Sequence, residues 1–384
     1  MSSRGPLAGV VVVDLSRAVA GPQAAQMLGD LGARVIKIES PDGDDSRRWG
    51  PPFVGGESTY FLSINRNKES VVLDLKTDEG TSTLTALIER ADVLIENFRV
   101  GTLARLGFDD ARIQELNPRA ILLSITGFGH DGPEANRPGY DQIAQGEAGL
   151  MSVTGSGPDD PQRVGIPIAD VLAGMNGAFG IVAALFDREK TGKGQIIRTS
   201  LLAATVGAHV YQGTAQTVAG VTGVARGNHH PSLAPYGLFH CKDSHVQIAV
   251  GTEGHWAALC RVLALNPDPR FDTNAGRVTF VDDLIAAVNG SLSTWKAGDI
   301  LEALTVAGVP AGKVRSTDEV YSWDQTQSQG LVVSVDHSTL GPIDIPGPPL
   351  RWFDGATEVT PTHHTAPPTL GEHTIAVLRW LADD

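Results

Sequence analysis

Asp170 is the residue whose type and position most clearly suggest chemistry. It ends the segment 165–170 (Gly-Ile-Pro-Ile-Ala-Asp), which leads into a long apolar pattern of helical period. Aspartate is a preferred helix N-cap, because its carboxylate accepts the first unpaired backbone N–H groups. The same carboxylate could act as a nucleophile that the positive end of the helix keeps ionised. A tight cap would occupy an oxygen that a nucleophile needs, and the spacing alone leaves both roles open.

Most standard catalytic motifs are absent from the chain. No G-x-G-x-x-G follows the first predicted strand, residues 192–194 (Gly-Lys-Gly) lack the spacing of a P-loop, and neither G-x-S-x-G nor H-E-x-x-H occurs. Two His-His pairs, at 229–230 and 363–364, could suggest metal ligands. Adjacent residues point in different directions, however, and no carboxylate lies at helical spacing from them. The sequence therefore predicts no metal site.

The composition bounds the class of protein. The chain has 384 residues, of which 41% are hydrophobic, so roughly two packed domains are expected. A net charge of −14 with scattered basic residues argues against nucleic acid as a partner. Two cysteines exclude a disulfide framework, residues 1–6 lack the apolar core of a secretory signal, and apolar runs such as 9–13 are too short to span a membrane. We therefore expect a cytoplasmic protein without a membrane partner.

Short β-rich runs alternate with helical patterns along the first 130 residues, which predicts a doubly wound, Rossmann-like α/β parallel sheet. In such a sheet ligands bind at the carboxyl ends of the strands, here 15–21, 40–44, Lys76 and 97–105. The predicted strands are 9–14, 34–39, 70–74, 92–97, 120–125 and 195–200, and helices are predicted at 22–31, 77–90, 170–186 and 201–218. The helix 170–186 is apolar nearly all round and is expected to be buried.

Composition changes near 220–235, a stretch rich in Gly, His and Pro. We take residues 1–218 as a large α/β domain and 226–325 as a smaller α+β domain. The smaller domain would contain a hairpin at 237–250 and helices at 255–263 and 280–304. Residues 330–384 would form a C-terminal segment that returns to the large domain and ends in a helix at 370–381.

An ordered series of short motifs across nearly the whole chain resembles the class III CoA-transferases, the family of formyl-CoA transferase and the carnitine CoA-transferases. Each motif is weak alone, but the ordered set is specific. The matching residues are Pro6–Val10 with Asp14, Ala20–Pro22, Leu28–Ala33, Val35–Glu39, Ile95–Arg99, Arg105–Gly107, Asn117–Arg119, Gly127–Gly129 with Gly132 and Pro133, Lys190–Gln195, Asn228, His230 with Pro231, Pro235 with Tyr236, and Leu370–Thr374.

The resemblance implies that Asp170 and Tyr140 are the catalytic residues, with Asp170 as the catalytic aspartate and Tyr140 beside it. The carboxylate would attack an acyl-CoA thioester to give an anhydride, CoA thiolate would return to give an aspartyl-CoA thioester, and an acceptor acid would then collect CoA. Coenzyme A enters as a substrate, and no tightly bound cofactor or metal is implied. The implied CoA contacts are Arg17, Ala18, Leu73, Lys76, Asn97, Phe98, Arg99 and Arg105. The large domain would be the CoA-binding one, and the assembly an interlocked homodimer.

One departure from formyl-CoA transferase bears on the substrate. In that enzyme a glutamine of the first loop contacts the reacting acyl group. Val19 takes its place here and is the residue expected beside the substrate, and residues 226–232 replace the Gly-rich loop. This pattern is more similar to members that use dicarboxylates, so we expect a small dicarboxylic acceptor held by Arg226, His229 and His230. The alternative for these three residues is a domain linker whose histidines cap turns.

Two other functions stay open at this stage. The family also contains α-methylacyl-CoA racemases, which need a pair of bases and carry Gly-His-Asp where this chain has Gly139-Tyr140-Asp141. Tyrosine, with an ordinary pKa near ~10, is a poor base at neutral pH, which favours the transferase. A non-catalytic CoA-binding module is the third possibility.

Overall fold

The computed structural model describes residues 5–383. In chain order the strands are β1 (Val11–Asp14), β2 (Arg34–Glu39), β3 (Phe53–Val54), β4 (Glu57–Ser58), β5 (Lys68–Val72), β6 (Val93–Glu96), β7 (Ile121–Thr126), β8 (Ile196–Ser200), β9 (Tyr236–His240), β10 (His245–Ala249), β11 (Ala311–Lys313), β12 (Val332–His337), β13 (Gly341–Pro346), β14 (Phe353–Asp354) and β15 (Thr357–Glu358).

The α-helices are α1 (Ala20–Asp30), α2 (Thr59–Ser63), α3 (Asp78–Arg90), α4 (Thr102–Arg105), α5 (Asp110–Leu116), α6 (Asp141–Glu147), α7 (Ile168–Thr191), α8 (Leu201–Gly207), α9 (Val210–Ala219), α10 (Glu253–Leu263), α11 (Asn274–Thr279), α12 (Val281–Leu292), α13 (Ala297–Val306), α14 (Thr317–Tyr321), α15 (Asp324–Ser328) and α16 (Thr374–Ala382).

The described residues form two compact units. The first holds the residues up to Leu150, then Arg163–Val221, and those from Asp324 onward; the second holds Met151–Gln162 and Thr222–Trp323. The sequence boundaries place 151–162 in the large domain, and here the structure differs. Backbone hydrogen bonds from Ala225 to Ser152 and from Gly227 to Gly155 tie this segment to residues of the second unit.

A six-stranded parallel sheet organises the first unit, in the order β5-β2-β1-β6-β7-β8. The prediction of a large parallel sheet in an α/β fold is confirmed, and the six predicted strands agree within two residues at each end. Val13, Ile36 and Leu94 are fully buried, as continuous β-branched and aliphatic runs require when both faces of a sheet are covered.

Helices cover both faces of this sheet. One core contains Leu28 and Ile181, so that α1, α7 and α8 pack on the first face. The other contains Leu87, Ile113 and Val377, which places α3, α5 and α16 on the opposite face. Since α16 packs beside β5, the C-terminal residues complete the core of the unit in which the chain begins.

Helix α7 differs from its prediction. It runs for 24 residues and ends at Thr191, and the next residue, Gly192, has a left-handed φ of 70° that suits glycine. By length and composition it could cross a membrane, but its small residues, such as Ala173 and Gly177, are buried against α1 and the sheet. The other side is open: Phe179 is 75% and Phe186 66% exposed. The expectation that the helix is buried all round is therefore wrong for this unit.

The helix predicted at 201–218 is two helices, α8 and α9. Val210 has a positive φ of 46°, which interrupts the helical path. The His209 ring nitrogen Nε2 lies 2.7 Å from the carbonyl oxygen of Ala148, at the end of α6. This long-range contact accompanies the break, and the local sequence pattern carries no sign of it.

The second unit is built on an antiparallel sheet in the order β11-β10-β9, with α10, α12 and α13 over a core that includes Phe239 and Leu284. The predicted hairpin is present as β9 and β10. The helix predicted at 280–304 is interrupted between α12 and α13. There the hydroxyls of Ser293 and Thr294 donate to the carbonyls of Gly290 and Ser291, a local competition that ends helices.

Candidate active site

A cavity of about 720 Å³ opens in the first unit, beside the carboxyl ends of β1, β6 and β7 and the first turn of α7. Eight of the residues expected to form the site line it: Arg17, Ala18, Asn97, Phe98, Arg99, Arg105, Tyr140 and Asp170. The topology explains this convergence, since parallel strands deliver their following loops to one edge of the sheet.

Asp170 is the third residue of α7, and Pro167 occupies the N-cap position. The N-cap interpretation of Asp170 is therefore wrong. Within the described residues the Asp170 carboxylate accepts no hydrogen bond, and it faces the cavity. Both of its oxygens are free for chemistry.

The capping role belongs to Asp141, in the first turn of α6. Its Oδ1 accepts the backbone N–H of Ala169 at 2.8 Å and that of Asp170 at 3.4 Å. Its Oδ2 accepts Nε2 of the fully buried Gln145 at 2.7 Å. Oε1 of Gln145 in turn accepts the N–H of Val164. Asp141 was not assigned a role from the sequence, although it lies in the recognised Gly-Tyr-Asp motif.

Burial, and then the nearby negative charge of Asp141, raise the pKa of Asp170 to about 7. This raised pKa runs against the expectation that the helix terminus keeps the carboxylate ionised. The Asp141 carboxylate already accepts the N–H groups at the positive end of the helix. The helix end therefore stabilises the ionised form of Asp170 less than burial and the charge of Asp141 destabilise it. Near neutral pH the protonated and ionised forms of Asp170 are both populated.

Two aromatic side chains that the sequence analysis did not single out also line the cavity. Trp49 and Tyr60 contact each other edge to face, with ring centroids 4.9 Å apart. Burial and the charges of Asp170 and Asp141 raise the pKa of Tyr60 to about 12. Its hydroxyl thus remains protonated and able to donate a hydrogen bond. Tyr140, in contrast, is 67% exposed at the cavity wall.

Asn97 joins two of the loops around the cavity. Its Oδ1 accepts the N–H of Arg17 at 2.8 Å, and its Nδ2 donates to the carbonyl of Arg17 at 2.7 Å. The guanidinium of Arg17 lies 5.6 Å from the centroid of the Phe98 ring. The loop after β1 is thereby fixed to the loop after β6.

The same first loop is fixed from below by a buried ion pair. Lys37 Nζ lies 2.8 Å from Asp44 Oδ2 and also donates a hydrogen bond to the carbonyl of Ser16. The other carboxylate oxygen, Asp44 Oδ1, accepts the N–H of Ala18. Ala18 has a φ of +66°. Burial opposes ionisation of Asp44, but Lys37 holds its pKa down at about 2. The pair stabilises a loop conformation that an L-residue rarely adopts.

A second buried cation, Lys68, lies 3.0 Å from Asp14 and donates to the carbonyl of Pro22 in the first turn of α1. Burial lowers the pKa of Lys68 to about 8 against the attraction of Asp14. The sequence contained a signal for this network of buried charges, because charged residues such as Lys37 lie inside strands that are predicted to be fully buried.

Arg99 and Arg105 are exposed where they line the cavity. Arg105 Nη2 donates to Thr102 Oγ1, and neither arginine has a carboxylate partner among residues 5–383. Exposed guanidinium groups of this kind present several donors to phosphate oxygens. These two arginines therefore give this side of the cavity a positive charge that suits an anionic ligand.

Three residues expected at the site do not line this cavity. Val19 is buried just before α1, Leu73 is buried in the core below the sheet edge, and Lys76 is exposed beyond β5. Aliphatic side chains within a packed core reach a ligand only through their backbone.

The residues expected to hold the acceptor, Arg226, His229 and His230, belong to the second unit. There the His229 ring contacts Phe239 at a centroid distance of 5.6 Å, and the His230 ring contacts Tyr236 at 5.2 Å. Burial lowers the pKa of His229. Their role toward a substrate stays a prediction. Among residues 5–383, no group of three His, Cys, Asp or Glu side chains has the geometry to hold a metal ion.

The chain matches the model of CoA-transferase family III over residues 7–374. It is 39% identical to the succinate–glutarate CoA-transferase of Agrobacterium fabrum, with 97% of this chain and 95% of that protein covered. It is 36% identical to the succinyl-CoA:glutarate CoA-transferase of Homo sapiens, with 99% and 86% covered.

A solved structure supports the same assignment. The CaiB/BaiF family protein from Brucella suis has a TM-score of 0.87 and 38% identity, and covers 98% of this chain and 100% of its own. The family match spans the cavity residues, the sheet and α16 alike. The chain therefore belongs to CoA-transferase family III and is a class III CoA-transferase.

Proposed function

We propose that this protein transfers CoA from an acyl-CoA thioester to a small dicarboxylic acid, with Asp170 as the covalent nucleophile. The observation that carries the proposal is the Asp170 carboxylate, which faces the cavity and accepts no hydrogen bond from the described residues. An ionised carboxylate with few stabilising partners is a stronger nucleophile than one held by hydrogen bonds. Asp141 supports this role because it supplies the cap that Asp170 would otherwise provide.

The proposed reaction runs through four substitutions at acyl carbons. An Asp170 oxygen attacks the thioester carbonyl, and the C–S bond breaks. CoA thiolate is released, and the acyl group and Asp170 form a mixed anhydride. The thiolate attacks the aspartyl carbonyl of that anhydride, which releases the first acid and leaves an aspartyl-CoA thioester. The acceptor carboxylate attacks this thioester, and the thiolate then attacks the acceptor carbonyl of the new anhydride. The carboxylate of Asp170 is regenerated, and the thioester is conserved without net proton transfer.

Several groups at the cavity fit this scheme. Tyr60 keeps its hydroxyl proton and can donate to an oxyanion that develops beside Asp170. Arg99 and Arg105 offer guanidinium groups to the phosphates of CoA. We propose Tyr140 as a further wall of the acyl pocket.

Relatives that act on dicarboxylates support the choice of acceptor. Two curated relatives, from Agrobacterium fabrum and Homo sapiens, are named for succinate or succinyl-CoA and glutarate. Another, from Acetobacter aceti, is named for oxalate. We extend from these names only the chemical class, a short acid with two carboxylates.

We also propose that the chain forms a homodimer and works in the cytoplasm. Met175, Phe179 and Phe186 recur on the open side of α7, and such a contiguous apolar surface is rarely left to solvent in a monomer. A second copy of this chain would cover it.

Covalent trapping tests the central step. Wild-type protein incubated with acetyl-CoA and then hydroxylamine should carry a modification at Asp170 alone, measured by peptide mass spectrometry. Asp170→Asn, which is nearly the same size, should bind acetyl-CoA and give neither the modification nor transfer. Substantial transfer by Asp170→Asn would overturn the mechanism.

Isotope exchange separates the transferase from a racemase. During turnover of a 2-methylacyl-CoA in heavy water, a transferase should introduce no deuterium at Cα, because that C–H bond is never broken. The cavity lining supports this expectation, since the described residues around it include no histidine to serve as one of the two bases. Rapid exchange without movement of CoA to free acids would favour the isomerase.

A further inference from the structure

We propose that Arg163 binds the second, non-reacting carboxylate of the dicarboxylic acid and thereby selects diacids over monoacids. This inference rests on the proposed function and names a residue that the sequence analysis did not single out. Arg163 lines the same cavity as Asp170, on the segment that leads into α7. Gly165 and Pro167, between the two, also line the cavity, so one continuous wall carries the nucleophile and this cation.

The negative charges of Asp170 and Asp141 would favour a cation as the partner of a diacid's far carboxylate. Neither Asp170 nor Asp141 has an Arg or Lys within ion-pair distance among the described residues. A diacid that approaches Asp170 brings two further negative charges toward two carboxylates. The repulsion in a partly buried site favours acids whose far carboxylate finds a positive partner.

Five arginines line the cavity, and their ion pairs and their positions distinguish them: Arg17, Arg99, Arg105, Arg137 and Arg163. Arg17 pairs with Asp45, and Arg137 pairs with Glu134 and Glu147. Arg99 and Arg105 lie after β6, on the side proposed for the phosphates of CoA.

Arg163 is the remaining cation. Its Nη1 donates to the carbonyls of Val164 and Gly165, each at 3.1 Å, and within the described residues its Nε and Nη2 have no partner. The two backbone contacts hold the planar group on its own loop, and the free donors match the bidentate geometry of a carboxylate. Because a hydrogen bond to a charged group is worth roughly 10- to 150-fold in affinity, one such clamp suffices to select a diacid.

The test compares two acceptors of equal chain length, glutarate and pentanoate, in wild type, Arg163→Gln and Arg226→Gln. Arg163→Gln should raise the KM for glutarate at least tenfold and leave the KM for pentanoate and for the acyl-CoA donor within about twofold. Arg163→Lys should recover part of the preference, because it restores charge without the planar fork. An equal effect on both acids, no effect, or loss of the preference in Arg226→Gln alone would overturn the inference.

A binding measurement separates this inference from the proposed chemistry. Glutarate and pentanoate are titrated calorimetrically into protein saturated with CoA, where no thioester is present and no turnover can occur. Wild type should bind glutarate more tightly than pentanoate, and Arg163→Gln should lose that difference. The same preference in both proteins would reject the role of Arg163 even if Asp170 is labelled as proposed. If Asp170 is not labelled but Arg163→Gln loses the preference for glutarate, the proposed chemistry is rejected and the role of Arg163 is kept.

Discussion

The carboxylate of Asp141 accepts the backbone N–H of Asp170 at 3.4 Å. One aspartate thus caps the first turn of α7, and the side chain of the other has no hydrogen-bond partner among residues 5–383. Burial, and then the nearby negative charge of Asp141, raise the pKa of Asp170 to about 7. The contact therefore links the position of the Asp170 carboxylate to its protonation.

The first prediction concerns pH. Because Asp170 must be ionised to attack and its pKa is about 7, the rate of the first half-reaction should fall about tenfold per pH unit well below 7 and level off above about 8. The measurement is kcat/KM for acetyl-CoA between pH 5 and 9. Acetyl-CoA has no acyl carboxylate, so the ionisation of a diacid does not enter the profile. A flat profile between pH 5 and 8 would contradict the raised pKa.

Asp141 should act as a positioning residue with two separable effects. Asp141→Asn keeps an oxygen that can accept the N–H of Ala169 but removes a negative charge, so the midpoint of the pH profile should move to lower pH. Burial remains and is the larger cause, so the midpoint should stay above the ordinary value near ~3.9.

Asp141→Ala removes the cap as well. It should lower the free energy of unfolding by about 1 kcal/mol, measured by urea denaturation, and lower kcat in addition to moving the midpoint. If both variants kept the wild-type midpoint, the charge of Asp141 would have no part in the pKa of Asp170.

Asn97 should control CoA affinity through the shape of the first loop. Asn97→Ala removes two hydrogen bonds to Arg17 and should raise the KM for acyl-CoA roughly 5- to 100-fold, with a smaller change in kcat. Asn97→Asp is the matched control, because it keeps the acceptor for the Arg17 N–H and loses the donor. It should show an intermediate effect, and equal KM values for the two variants would refute the loop-positioning role.

The open side of α7 should hold two copies of the chain together. Phe179→Glu places a charge in the middle of the proposed interface and should shift the mass measured by light scattering from dimer to monomer. Phe353, also about half exposed but on the hairpin of β14 and β15, gives the control Phe353→Glu, which should leave the mass unchanged. A monomeric wild type would exclude the dimer directly.

Strand predictions succeeded where local pattern and burial agree. Arg34–Glu39 has the predicted bounds, because a run of β-branched residues covered on both faces has few alternatives to a central strand. The helices predicted at 201–218 and 280–304 failed at positions where a contact outside the periodic pattern ends the helix, such as that of His209 with Ala148. Apolar periodicity indicates which face of a helix is buried, but it does not indicate long-range contacts of this kind.

The sequence by itself determined the parallel sheet, the identity of Asp170 and the loops that gather around it, because strand–helix alternation delivers those loops to one edge. Tertiary structure decided the surroundings of Asp170. Asp141 and Asp170 are 29 residues apart in the chain, and only the packing of α6 beside α7 gives the cap to one and leaves the other free. The raised pKa of Asp170 and the lack of a carboxylate partner for Arg163 among residues 5–383 have the same origin, since burial and the distances between charges exist only once the chain is folded.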